Sequence, residues 1–239
     1  MKHFCSLSLA VLSAAVLSAC GGGSSEDAGS TTSYATQAAW ANLYSAGPHN
    51  WALSGTTTYQ AAAGGSASYP TTATLSLQAA ADATFPANGL NAHVLKNTMS
   101  VTVAGSQTTT VTSQYLDANL LYMGSVDSDG YCQVGAQPAL PVAYARIGNQ
   151  GSLASYSVYA SCTAGAALLA TGTLGWSLES QNGQVYFCMN NQEGYVGGGS
   201  YSEKDCVAID ASGAIGSRAT ITASEVTTDG IGSINLSTN

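Results

Sequence analysis

Beyond Trp51 the apolar positions of this chain recur at every second residue. Leu95, Asn97, Met99, Val101 and Val103 share one face of the run from Leu95 to Val103, while Lys96, Thr98, Ser100 and Thr102 take the other. That period is the signature of an antiparallel strand with one face in a core and one in water. Ala73, Leu75 and Leu77 alternate in the same way with Thr72, Thr74 and Ser76. So do Ala154, Tyr156, Val158, Ala160 and Cys162 against a row of Ser with Tyr159, and Leu168, Ala170, Leu174, Trp176 and Leu178 against Thr171, Thr173, Ser177 and Glu179. Near the C-terminus Ile215, Ala219, Ile221 and Ala223 oppose Arg218, Thr220 and Thr222. Between these runs fall Asn88-Gly89, Asp129-Gly130, Asn182-Gly183 and Asp229-Gly230, dipeptides that accept the positive φ of tight hairpin turns. The clearest predicted hairpin joins Leu168–Glu179 to Val185–Met189 around Asn182-Gly183.

One stretch keeps a different period. In Ser33 to Gly47 the residues Trp40, Leu43 and Tyr44 fall at i, i+3 and i+4, with Ser33 placed to cap a helix and Gly47-Pro48 to stop it. Its Trp-Leu-Tyr stripe is expected to pack on a sheet. After Gly47 the apolar positions have no helical period. Antiparallel strands with one apolar face must stack or close on themselves. The predicted fold is therefore all-β, an antiparallel β-sandwich or an open barrel-like sheet with one short N-terminal helix. Residues 34–239 read as a single β-rich domain, since no sharp internal repeat and no second linker divides them.

The first residues have another purpose. Lys2 and His3 precede an uncharged run from Phe4 to Leu17, the length of a secretory h-region and too short for a stable membrane-crossing helix. The run closes on Leu17-Ser18-Ala19-Cys20, which resembles the lipobox of bacterial lipoproteins. The resemblance implies that residues 1–19 are a signal peptide and that Cys20 receives a thioether-linked diacylglycerol. By the sorting rule of that family, Gly21 in place of Asp after the lipidated Cys directs the protein to the outer membrane. Residues 20–33 include Gly21-Gly22-Gly23-Ser24-Ser25, a flexible tether for an anchored domain. Two further stretches, Tyr115–Leu121 through Asp127–Cys132 and Trp176–Glu179 through Tyr186–Cys188, are similar to parts of uncharacterised lipoproteins of Gram-negative bacteria; that likeness implies no activity.

Cysteine usage agrees with export. Cys5 leaves with the leader and Cys20 is used for lipid, so Cys132, Cys162, Cys188 and Cys206 remain, an even number for an oxidising compartment. Sequential up-and-down strands favour Cys132 with Cys162 and Cys188 with Cys206. The absence of a C-x-x-C pair and of a nearby His argues against a four-cysteine metal site.

Charge narrows the partners. From Cys20 onward thirteen Asp or Glu face only Lys96, Arg146, Lys204 and Arg218. Such a domain repels phosphate backbones and anionic lipid alike, so nucleic acid is not an expected partner and the membrane is reached through the lipid anchor. Ser, Thr, Gly, Asn and Gln do the solvating.

Little in the sequence carries chemistry. The mature chain has two histidines, His49 and His93, both read as solvated. It has no G-x-S-x-G elbow, H-E-x-x-H, phosphate-binding glycine loop or S-x-x-K. Asp127-Ser128-Asp129-Gly130 opens like a calcium loop, but Tyr131 and Cys132 follow where oxygen ligands belong, so a hairpin turn is expected. Glu179, Glu193, Glu203 and Asp205 are the carboxylates a glycoside hydrolase would have to bring to one cleft, and they read equally well as solvated acidic loops. The segment Met189 to Asp205, rich in Gly, Ser and Asn and carrying Tyr195 and Tyr201, has the composition of an adaptable recognition loop. The sequence thus points to a non-enzymatic binding or structural component of the outer membrane, without cofactor or metal, whose partner is a protein, glycan or small molecule. A periplasmic carrier holding a hydrophobic ligand in an open β-barrel is the first alternative, and a hydrolase using scattered carboxylates the second.

Overall fold

The computed structural model describes residues 32–45 and 47–238; the leader, Cys20 and the tether as far as residue 31 lie outside them. One helix, α1 (Thr36–Ser45), precedes twelve strands. These are β1 (His49–Ala61), β2 (Ser66–Thr84), β3 (Asn91–Val103), β4 (Ser106–Leu116), β5 (Tyr122–Asp127) and β6 (Cys132–Ala136), followed by β7 (Gln150–Tyr159), β8 (Leu168–Gln181), β9 (Gln184–Tyr195), β10 (Ser200–Ile209), β11 (Ile215–Thr227) and β12 (Gly230–Ser237). Every strand pairs antiparallel with its sequence neighbour, and β1 pairs with β12, Gly55 opposite Leu236 and Thr57 opposite Ile234. Of the two architectures the pattern allows, the barrel forms rather than the sandwich, and it is closed. Closure pairs both edges of the sheet, which a sandwich would leave open.

Strand number then dictates what fills the barrel. Eight strands enclose just enough space for their own side chains, and the interior widens with each strand added. Twelve leave a lumen that side chains fill at one end only. At that end Trp51, Leu53, Leu75, Leu77, Leu95, Leu116, Leu153, Trp176, Leu178, Phe187, Val207 and Ile209 form a solid core. Helix α1 presses Trp40, Leu43 and Tyr44 into it, the stripe read from the sequence. The helix is tied to the turns of the same end. Trp40 Nε1 donates to Leu120 O at 2.9 Å, Asn42 Nδ2 to Gly213 O at 2.9 Å and Thr36 Oγ1 to Val142 O at 2.6 Å. Ser33 is not its cap. The segment before the helix is pinned instead by backbone bonds between Tyr34 and Ala145 and from Ala35 N to Ala211 O, so the first intrahelical bond runs from Ala39 N to Ala35 O.

The outward rows are polar. Thr72, Thr74 and Ser76 on β2, and Lys96, Thr98, Ser100 and Thr102 on β3, oppose the buried Leu75, Leu77 and Leu95. A lipid-facing barrel shows the reverse, an apolar outer band around a polar lumen. These rows suit water.

Both expected disulfides are present. Cys188 sits directly opposite Cys206 in the β9–β10 ladder, and Cys132 at the start of β6 joins Cys162 in the loop after β7. Three of the four turn dipeptides fall between strands and the fourth, Asp229-Gly230, leads into β12 with Gly230 as its first residue; Asn182 at φ 53° and Gly183 at φ 77° form the two-residue β8–β9 hairpin.

Candidate lumenal binding site

Above the core no side chain of the described residues fills the lumen. A cavity of about 810 Å³ extends from Tyr44 on α1 up to the β1–β2, β3–β4 and β5–β6 turns, within the size range of small-molecule pockets. Period two decides its lining. On the β3–β4 side Met99, Val101, Thr108, Thr110 and Thr112 face inward, an apolar and hydroxyl-bearing wall. On the β9–β11 side the inward positions carry Met189, Asn191, Glu193 and Tyr195, then Tyr201, Glu203 and Asp205, then Ile221, Ala223 and Glu225.

The ladder fixes the order on that second wall. Glu193, Tyr201 and Glu225 form one cross-strand row, Asn191, Glu203 and Ala223 the next, and Met189, Asp205 and Ile221 the deepest. Directly opposed residues hold their Cβ atoms about 4.5–5.5 Å apart, so the carboxylates of one row look across a tyrosine ring.

Glu193 is the best anchored of them, only 8% exposed. Its Oε1 accepts from Tyr156 OH and from Gln133 Nε2, each at 3.0 Å. Gln133 Oε1 in turn accepts from Tyr122 OH at 2.7 Å and Ser125 Oγ at 3.1 Å, and the Tyr156 hydroxyl also touches the Asn191 amide. Gly172 makes the position of Tyr156 possible, since a Cβ there would stand 2.4 Å from Tyr156 Cζ. On the same wall Tyr195 OH donates to Glu225 Oε1 at 2.9 Å, and on the floor Tyr44 OH donates to Gln114 Oε1 at 3.2 Å.

Burial dominates the electrostatics. It raises the Tyr44, Tyr122, Tyr156, Tyr195 and Tyr201 phenols well above their ordinary value, with nearby carboxylates adding to the rise at Tyr156, Tyr195 and Tyr201, so these side chains remain neutral donors. Burial also raises Glu203, against the pull of a hydrogen bond from Tyr201 and with the charge of Glu193 adding to the rise. Asp205 is lifted well above the usual carboxylate range by burial first and by Glu203 second.

The segment from Met189 to Asp205 is therefore not a recognition loop. It is barrel wall, the upper part of β9 and of β10 joined by a four-residue turn at 196–199, and Tyr195 and Tyr201 point into the lumen rather than out to solvent. Of the four carboxylates singled out from the sequence, the fold brings Glu193, Glu203 and Asp205 to the lumen and leaves Glu179 outside, where its Oε1 accepts from Lys204 Nζ at 2.8 Å and Ser177 Oγ at 2.9 Å. The solvated-loop reading fails for the first three. Sequence reasoning also missed Tyr156, Gln133 and Glu225. The signal was alternation itself, because Met189, Asn191, Glu193 and Tyr195 keep period two without keeping hydrophobicity.

Of the remaining candidates, Asp127 lines the cavity at the β5–β6 turn and the others lie outside it. Asp127 Oδ1 accepts from the N–H groups of Asp129 and Tyr131 at 3.0 and 2.9 Å, a turn-forming carboxylate as expected. His49 stacks on Trp51 beside α1 at the start of β1, and His93 meets Asp82 at 2.9 Å on the exposed face near the start of β3. Among the described residues the only group of three with metal-ligating spacing is Glu179, Cys188 and Cys206, and its two sulfurs are joined to each other. No protein-family model, curated protein or solved structure matches the chain.

Proposed function

We propose that this protein is a lipid-anchored, non-enzymatic carrier of the bacterial outer membrane that holds a small molecule in its barrel. The observation behind this reading is the cavity of about 810 Å³, plugged at one end by α1 and reaching the turns at the other. A chain that only had to present a surface could fill its interior, as the lower half of this barrel does. Leaving the upper half empty forgoes apolar contacts worth roughly 25 cal/mol per Å², and a ligand restores them. The anchor at Cys20 and the tether of residues 20–33 would keep such a carrier at the membrane while its polar outer rows stay in water.

Uptake of the neutral dye Nile red tests the reading. Fluorescence titration should give saturable one-to-one binding. Gly232→Trp should abolish it without loss of thermal stability, because position 232 lines the lumen and nothing lies within 4 Å of a Cβ built there. No saturable binding, or unchanged binding to the filled variant, would overturn the proposal.

A further inference from the structure

The lumen carries charge of one sign. Asp127, Glu193, Glu203, Asp205 and Glu225 line it, five of the thirteen Asp and Glu in the chain, while among the described residues no Lys, Arg or His does. Strand alternation produces this separation most sharply in Glu203-Lys204-Asp205, where the two carboxylates turn inward and the ammonium outward to Glu179. Asp205 Oδ1, at the depth of Ile221, is enclosed and has no hydrogen-bond partner among the described residues. A buried carboxylate without a counter-charge is costly. The wall lacks a cation that the protein does not supply.

The choice between a metal ion and an organic cation follows from spacing. A bare divalent ion needs oxygens converging at about 2.0–2.6 Å from one point. Among the described residues no three lumenal carboxylates bring their oxygens within 4.8 Å of one another. Glu193, Glu225, Glu203 and Asp205 are instead spread over three rows of the ladder, with the Tyr201 ring between Glu193 and Glu225, an arrangement that surrounds a bulky, weakly hydrated cation. Ammonium groups also bind the faces of such rings. Eight of the thirteen tyrosines line the cavity, and the facing wall of Met99, Val101 and the β4 threonines offers an apolar surface to the rest of the molecule.

Resting on the carrier reading, we propose that the lumenal ligand is an organic cation, an amine or quaternary ammonium group on an apolar body, with its positive head against Tyr201, Glu203 and Asp205. The upward shift of the Glu203 and Asp205 carboxyls fits this assignment, since burial without a counter-ion disfavours their charged forms.

Calorimetric titration with decyltrimethylammonium, decanol and decanoate tests it, because the three share an apolar chain and differ in head charge. The permanently charged ammonium should bind about tenfold or more tighter than decanol, and decanoate more weakly than decanol. Glu203→Gln combined with Asp205→Asn should erase the advantage of the cation over decanol. Equal affinity for decyltrimethylammonium and decanol, or an advantage that survives the double substitution, would overturn the cation assignment while leaving the carrier reading standing. Binding of none of the three would overturn both, and displacement of bound decyltrimethylammonium by calcium alone would replace the organic cation with a metal.

Discussion

Replacing Gly172 by Ala adds one methyl group to the lumenal wall, and the structure says where it must go. The new Cβ would stand 2.4 Å from Tyr156 Cζ, 2.5 Å from its hydroxyl and 2.5 Å from the backbone oxygen of Gln192. Neither neighbour can yield freely: the carbonyl belongs to the β8–β9 ladder, and the ring is held by Glu193 and Asn191. Crowding of this kind costs about 1–3 kcal/mol. Driving the Tyr156 hydroxyl off the buried Glu193 carboxylate adds roughly 1.5–3 kcal/mol. Together the two should cost about 2.5–6 kcal/mol, which at this chain length lowers Tm by roughly 5–24 °C. Gly232→Ala is the internal control, because nothing lies within 4 Å of its Cβ and its φ is not positive. There the same change should stabilise by about 0.4–1 kcal/mol through the unfolded chain. Thermal unfolding followed by circular dichroism reads both. In the double variant Gly172→Ala with Tyr156→Phe the losses should be less than additive, since both remove the same hydrogen bond. A Gly172→Ala Tm within 2 °C of the control would refute the packing of Tyr156 under β8 and with it the anchoring of Glu193.

Three further outcomes follow from other parts of the molecule. Converting Cys188 and Cys206 to Ala should cost about 3 kcal/mol on the chain-entropy estimate for an 18-residue separation, read as a loss of roughly 6–12 °C in Tm; an unchanged Tm would show that the disulfide adds nothing to the β9–β10 pairing. Because burial raises Glu203 and Asp205 above their values in the unfolded chain, stability should fall as pH rises above about 4, by at most about 1.4 kcal/mol per pH unit for each proton. Glu203→Gln with Asp205→Asn should flatten that slope. Glu179 and Asp210, held below their ordinary values by hydrogen bonds, lose their contributions only as pH falls below about 4. Cys20→Ala should abolish labelling by a palmitate analogue and release the protein from the outer-membrane fraction; a variant that still fractionates there would contradict the lipid anchor.

The sequence made the apolar half of the barrel legible and concealed the polar half. Leu75, Leu77, Val101 and Trp176 announce their strands because hydrophobicity marks the inward face. The turn dipeptides and the cysteine pairing follow from the same up-and-down order. In β9 and β10 the inward residues are Asn191, Glu193, Tyr195, Tyr201, Glu203 and Asp205, so the hydrophobic alternation stops at Met189 even though the strand continues. Gly197-Gly198-Gly199 then reads as part of a long loop, although it is only the turn of a hairpin. Closure was equally hidden. Whether twelve one-faced strands stack or close depends on the pairing of β1 with β12, a contact across nearly the whole chain that no local pattern encodes.

The most direct test of the lumenal site is native mass spectrometry of the mature protein released from envelopes in mild detergent. The account predicts a one-to-one small-molecule adduct in the wild type, positively charged as the released ion, that is missing from Gly232→Trp. An adduct that persists in the filled variant, or a bare wild-type mass that takes up no added Nile red, would contradict it.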